Sequence, residues 1–280
     1  MKIRLIALDM DGTALKTDGP VSERLLRAVE AASRIGVIVV PATGRVKKML
    51  PEPFRNLPSI RYAITSNGAA VWDLRTGEIL YSNPMSTEDS LSAIRFFSSR
   101  GLMTEAYCRG VSYSEKSDFI RLQKLHLPEK VYQYILKSQN FVENLSAFLA
   151  SNGFSVEKIN IPYVPETVRR ELISRLSCTG RYTVTSSGSV NLEVNSSTCS
   201  KGDALGKLCL KVGVSPSQVM AIGDSDNDVT MLKYAGFAVA MENAVPSARQ
   251  TADFITGTND SDGAAYAVEN FALSGDSGKV

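Results

Sequence analysis

The sequence predicts an α/β protein with a mainly parallel sheet and an inserted α+β module, and three observations predict it. The first is the apolar run Ile3-Arg4-Leu5-Ile6-Ala7-Leu8, which ends in Asp9-Met10-Asp11-Gly12-Thr13. It is too short for a membrane span and too continuous for a strand wet on one face, so it reads as a strand buried on both faces. The second is a helical pattern followed by the β-branched run Val37-Ile38-Val39-Val40, a βαβ unit whose strands lie parallel across a right-handed crossover. The third is the return of the same alternation near residue 202, after a middle stretch of different character.

In order, Ser22 caps a helix with apolar positions Leu25, Leu26, Ala28, Val29, Ala32 and Ile35, which Gly36 closes. The second strand ends in Pro41-Ala42-Thr43-Gly44-Arg45, a turn at the expected start of a short helix, where backbone amides attract anions. Tyr62-Ala63-Ile64-Thr65 is a third strand, and Val71-Trp72-Asp73 with Ile79-Leu80-Tyr81 reads as a hairpin. From Asn83-Pro84 a helix led by Ser86 or Thr87 opens the module. It continues with strands near 102–108 and 111–115, a poorly patterned stretch, helices at 142–151 and 165–177, and strands at 154–161, 181–186 and 190–194. Then come a helix at 202–212, the strand Val219-Met220-Ala221-Ile222, a helix at 227–235 and the strand Phe237-Ala238-Val239-Ala240. Ser274 to Val280, small and polar, reads as a frayed end. The expected division is a core of 1–83 and 188–280 around a module of 84–187.

Composition narrows the function classes. The 280 residues are 44% hydrophobic and 21% charged, enough to bury a substantial core, and the net charge of +2 gives no footprint for nucleic acid. Arg45, Lys47 and Lys48 are too short a cluster to change that. Cys108, Cys178, Cys199 and Cys209 lack C-x-x-C spacing and come with no secretory signal, which suits reduced thiols in a cytoplasm, with no membrane partner. A monomer or weak homo-oligomer is expected.

The chemistry gathers at strand ends. Two residues apart in an extended chain, Asp9 and Asp11 project the same way, and paired carboxylates call for a hard cation such as Mg2+. Thr43-Gly44, Lys201-Gly202 and Gly223-Asp224-Ser225-Asp226-Asn227-Asp228 each set a polar group suited to phosphate or metal at a strand end or helix start. Singly, each has an ordinary reading: an Asx turn, a helix cap, a solvated lysine, or acids at a helix N-terminus. His126, the only histidine, is read as structural. Trp72, Phe96, Phe97, Tyr107 and Phe141 are read as packing, and Arg169 and Arg170 as a wet helix face. Arg109, Arg121 and Lys158 are unranked candidates for choosing a leaving group.

Together the motifs resemble a known family. Asp9-Met10-Asp11-Gly12-Thr13 is similar to the first motif of the haloacid dehalogenase-like (HAD) phosphohydrolases, Thr43 in Ala42-Thr43-Gly44-Arg45 to the second, Lys201 to the third and Gly223 to Asp228 to the fourth. Thr65-Ser66-Asn67-Gly68-Ala69, Ala240-Met241-Glu242-Asn243-Ala244 and Asp262-Gly263 resemble further signatures of its Cof-like branch, with Glu242 standing where relatives usually have glycine. The resemblance implies a doubly wound, Rossmann-like core sheet, with the module as an α+β cap of type IIB that admits only a small leaving group. It also implies a Mg2+-dependent phosphatase of a small phosphorylated metabolite, a sugar phosphate for instance. In that scheme Asp9 is the nucleophile forming an aspartyl-phosphate and Asp11 the acid and base. Asp9, the Asp11 carbonyl and Asp224 hold Mg2+, with Asp228 supporting. Thr43, Gly44 and Lys201 hold phosphate, and Asn227 touches phosphate or substrate. A phosphotransferase or mutase of the same fold is the near alternative. A phospho-receiver module is the distant one, disfavoured because receivers carry their acidic pair and phosphorylated Asp on different strands.

Overall fold

A computed structural model describes residues 2–122, 124, 129–186 and 190–274. In chain order its strands are β1 (Leu5–Leu8), β2 (Ile38–Pro41), β3 (Tyr62–Thr65), β4 (Ala70–Asp73), β5 (Ile79–Ser82), β6 (Glu105–Cys108), β7 (Val111–Glu115), β8 (Gln139–Val142), β9 (Lys158–Ile161), β10 (Tyr182–Thr185), β11 (Leu192–Ser196), β12 (Val219–Gly223), β13 (Phe237–Ala240) and β14 (Phe254–Ile255). The chain forms two compact units. The first comprises Met1–Gly44, Leu50–Tyr81 and Ser200–Val280, and the second Arg45–Met49 and Ser82–Cys199.

The first unit is built on a parallel five-stranded sheet in the order β14-β13-β12-β1-β2. All four side chains of β1 are fully buried, which is what a strand covered on both faces requires. Each large apolar side chain so buried contributes about 2 kcal/mol. The helix Glu23–Arg34 makes the expected crossover: Ser22 Oγ accepts from the Leu25 N–H at 3.1 Å, and Leu25, Ala28, Val29 and Ala32 face the core. From β1 the chain winds outward through β2, and later returns to the other side of β1 through β12, β13 and β14. The direction of winding therefore reverses at β1, and the crevice at its carboxyl end is the place such sheets offer a ligand. β3 adjoins β2 through an Ala42–Ile64 bridge and begins the small β3-β4-β5 sheet, which holds the expected hairpin. Trp72 is buried there, its indole N–H donating to Thr65 Oγ1 at 3.0 Å.

The second unit holds a six-stranded sheet in the order β10-β11-β9-β6-β7-β8, antiparallel except for β7 with β8. Its α+β character agrees with the sequence pattern. The last segment of the first unit begins at Ser200, and β11 lies between β10 and β9 in the sheet of the second. The poorly patterned stretch contains the helices Lys116–Leu122 and Glu129–Ser138 and the strand β8. Arg169 is not on a wet face: it is half-buried and donates to Ser186 Oγ at 2.7 Å, while Arg170 is exposed. His126, the Arg121 side chain and residues 275–280 lie outside the described residues. Among the described residues no helix is long and apolar enough to cross a membrane.

Candidate active site

Parallel register sets the site. Leu8 lies opposite Pro41 on one side and Ile222 on the other, so the residues that follow these three strands emerge along one sheet edge. Backbone bonds extend the ladder past its end: the Asp9 N–H donates to the Ile222 carbonyl at 3.0 Å and the Ala42 N–H to the Leu8 carbonyl at 2.8 Å. Asp9, Thr43 and Asp224 thus stand at the carboxyl ends of β1, β2 and β12, and all three are buried.

Lys201 ties this edge together. It opens the helix Lys201–Val212, whose N-cap Ser200 accepts from the Asp203 N–H at 3.1 Å. Its fully buried ammonium donates to Asp9 Oδ1 at 2.6 Å and to Asp228 Oδ1 at 2.7 Å. The other oxygen of Asp228 accepts the backbone N–H groups of Asp224 and Ser225, each at 3.0 Å, which closes the acidic loop on itself. Thr13 Oγ1 and Ser225 Oγ donate to the two oxygens of Asp224 at 2.7 and 3.0 Å. Gly12, at φ +82°, passes so close to Asp224 that a Cβ there would lie 2.5 Å from its Oδ2, so only glycine allows this approach.

Side-chain oxygens of Asp9, Asp224 and Asp228 lie within 4.8 Å of one another. The cluster holds three carboxylates and one ammonium, and the excess negative charge shows in the proton affinity of Asp9 and Asp224. Burial and the Asp228 charge push the Asp9 carboxyl well above the usual carboxylate range, against the opposing pull of Lys201. Asp224 is raised by burial and by Asp228. Burial pulls Lys201 downward, but the charges of Asp228 and Asp9 outweigh it and hold the ammonium protonated. An all-oxygen donor set with uncompensated negative charge fits a hard divalent cation such as Mg2+.

Asp11 lies in the loop that follows β1. β1 ends at Leu8 and the chain turns through Met10–Thr13, so strand alternation does not extend to Asp11. Its carboxylate is outside the three-acid cluster, and the residue is half-buried while Asp9 is 4% exposed. Gly44 lies in a bend rather than at a helix start; the next helical turn is the short 3-10 segment Lys47–Met49. Asn227 is buried and donates through Nδ2 to Asn67 Oδ1 at 3.1 Å, while the Asn67 N–H donates to the Thr43 carbonyl at 3.1 Å. Glu242 is exposed and its φ is outside the left-handed region, so replacing a glycine there strains nothing. Neighbouring Asn243 donates to the Gly12 carbonyl at 2.8 Å. Sequence reasoning gave no role to Thr13, Asn67 or Asn243; the hydroxyl beside Gly12 and the Asn residues of the lesser motifs were the available signal.

The chain matches the haloacid dehalogenase-like hydrolase family over residues 6–268. It belongs to that family. A Bacillus subtilis relative named 5-amino-6-(5-phospho-D-ribitylamino)uracil phosphatase YcsE is 31% identical to this HAD-like hydrolase over 271 residues, covering 97% of this chain and 96% of its own. A solved B. subtilis haloacid dehalogenase-like hydrolase superposes with a TM-score of 0.83 at 25% identity, covering 96% of this chain and 100% of its own. The HAD subclass IIB sugar phosphatase BT4131 shares the fold at a TM-score of 0.78 and 20% identity, over 96% and 98% of the two chains. This HAD-like hydrolase is thus an enzyme of the phosphomonoesterase class, and it shares its fold with that subclass IIB phosphatase.

Proposed function

We propose that the protein is a Mg2+-dependent phosphatase that hydrolyses a small phosphorylated metabolite through an aspartyl-phosphate on Asp9. The observation that carries this is the Asp9 carboxylate, fixed at the end of β1 by Lys201 at 2.6 Å beside Asp224 and Asp228. Its Oδ1 is engaged by the ammonium, and the carboxylate forms the new O–P bond as the ester oxygen leaves. Asp11, the half-buried acid of the loop, protonates that oxygen and then takes a proton from the water that cleaves the acyl-phosphate. An ammonium has three donors, so Lys201 keeps one beyond Asp9 and Asp228 for a phosphoryl oxygen. Thr43 and the Gly44 N–H supply the other donors. Asp9, Asp224 and the Asp11 carbonyl would hold Mg2+, with Asp228 behind them, and the bound ion supplies positive charge against the phosphoryl oxygens.

Because two relatives are named as 5-amino-6-(5-phospho-D-ribitylamino)uracil phosphatases, we take that ribityl phosphate as the first substrate to try, with sugar phosphates beside it. The test is phosphate release from a panel of phosphorylated metabolites with Mg2+, reported as kcat/KM, by the wild type, Asp9→Asn and Asp11→Asn. Asp9→Asn should lose turnover by about 10⁴-fold or more while keeping its fold. Asp11→Asn should turn over slowly and leave trappable acyl-phosphate. Full release by Asp9→Asn ends the covalent reading, and transfer to an added acceptor in preference to water makes the enzyme a phosphotransferase.

A further inference from the structure

Three consecutive residues, Ser66, Asn67 and Gly68, hold positive φ angles of 53°, 60° and 99°. L-residues avoid that region, and two non-glycine residues in succession are held there only where their surroundings demand it. This turn is buried and touches three of the segments that carry the proposed chemistry. The Asn67 N–H donates to the Thr43 carbonyl at 3.1 Å, and Asn67 Oδ1 accepts from Asn227 Nδ2 at 3.1 Å. Gly68 lies against the carbonyl of Ser200, the residue before Lys201, with no room for a side chain.

Asn227 supplies the second observation. Its Oδ1 is buried and has no hydrogen-bond partner, although native proteins satisfy nearly all such atoms. One N–H of its nitrogen goes to Asn67, and the atom left buried without a partner is the oxygen, an acceptor. An acceptor repels phosphoryl oxygens and takes an O–H donor.

We propose that Asn67 is a positioning residue that locks the Asn227 amide by its nitrogen, so that Asn227 Oδ1 receives an O–H donor. That donor is a hydroxyl of the leaving group or the attacking water. The proposal rests on the phosphatase reading above and gives the expected contact of Asn227 with phosphate or substrate a specific form, a hydroxyl held by its oxygen.

Asn67→Gly tests it, because glycine adopts the left-handed backbone freely while the side chain that holds the Asn227 amide is removed. The full chain with Mg2+ is assayed on ribitol 5-phosphate and on p-nitrophenyl phosphate, whose leaving group carries no further hydroxyl. Asn67→Gly should melt close to the wild type yet lose about 10–100-fold in kcat/KM on ribitol 5-phosphate. Asn227→Ala should lose as much, and the double variant no more than either single one, since the two residues act as a unit. A leaving-group hydroxyl gives a much smaller loss on p-nitrophenyl phosphate. The attacking water gives equal losses in kcat on both substrates, with acyl-phosphate accumulating. Wild-type kinetics for Asn67→Gly on both substrates, or a double-variant loss equal to the product of the single losses, overturns the proposal. Failure of the phosphatase reading is seen separately, as no phosphate release by the wild type or full release by Asp9→Asn.

Discussion

Each of the two units buries a lysine, and the two lysines have opposite surroundings. Lys201 in the first unit and Lys158 in the second are 0% and 1% exposed. Lys158 donates to Glu193 Oε1 at 2.9 Å, and its ammonium lies 4.6 Å from the centre of the Tyr107 ring. Nearby Glu105 is pushed up to about 7 by burial, so below that pH Lys158 and Glu193 form a balanced pair beside a neutral acid. Lys201 bonds Asp9 and Asp228, and Asp224 stands beside these two acids, which leaves negative charge uncompensated. Burial and ion pairing are common to both lysines. What separates a reactive site from a structural pair is the surplus of one sign, which a cation and a phosphoryl group can then use.

Replacing each lysine by methionine should show the difference. Lys201→Met strands two buried carboxylates, and phosphate release should fall about 10³-fold, with stability in EDTA down by about 3–5 kcal/mol. Lys158→Met strands Glu193 and should cost a similar 3–5 kcal/mol, but turnover per folded molecule should fall less than about tenfold. Equal kinetic losses in the two variants would break the distinction. A smaller effect comes from the metal. Mg2+ should raise the melting temperature of the wild type, reversibly on adding EDTA, because a ligand of the folded state alone stabilises it. The rise should be larger in Lys201→Met, where no ammonium competes for the carboxylates, and unchanged in Lys158→Met. A rise of the same size in Lys201→Met and the wild type would show that the surplus charge is not what binds the ion.

The same comparison explains how much was legible in the sequence. Strands β1, β2, β12 and β13 are buried on both faces and so appear as unbroken β-branched or apolar runs, and the acids at their ends stand out against them. Asp9, Lys201, Asp224 and Asp228 were therefore readable by residue type and motif. Strand alternation ends at Leu8, so it does not by itself fix the direction of Asp11. In the second unit, Lys158 and Asn160 are buried in a network of polar side chains, which the strand pattern of 154–161 does not reveal. Neutral partners were harder still. Asn67 and Asn227 are 160 residues apart, and nothing in either local pattern shows that they meet.

Glu105 provides the mildest test. It is fully buried, accepts from Asn160 Nδ2 at 2.7 Å through Oε2, and its Oε1 has no partner. Burial raises its carboxyl from 4.5 to about 7, so the folded state binds this proton more tightly than the unfolded chain does. Stability from this group is fully present below about pH 4.5, falls as pH rises to about 7, and is constant above that. Glu105→Gln keeps an oxygen for Asn160 and removes the titration. Its advantage over the wild type should be near zero at pH 4.5 and grow to as much as about 3 kcal/mol above pH 7. Denaturant melts of the two proteins between pH 4.5 and 8 measure this difference directly. Parallel curves across that range would mean that Glu105 stays charged, and the Lys158 pair would then stand in a surplus of negative charge like that around Lys201.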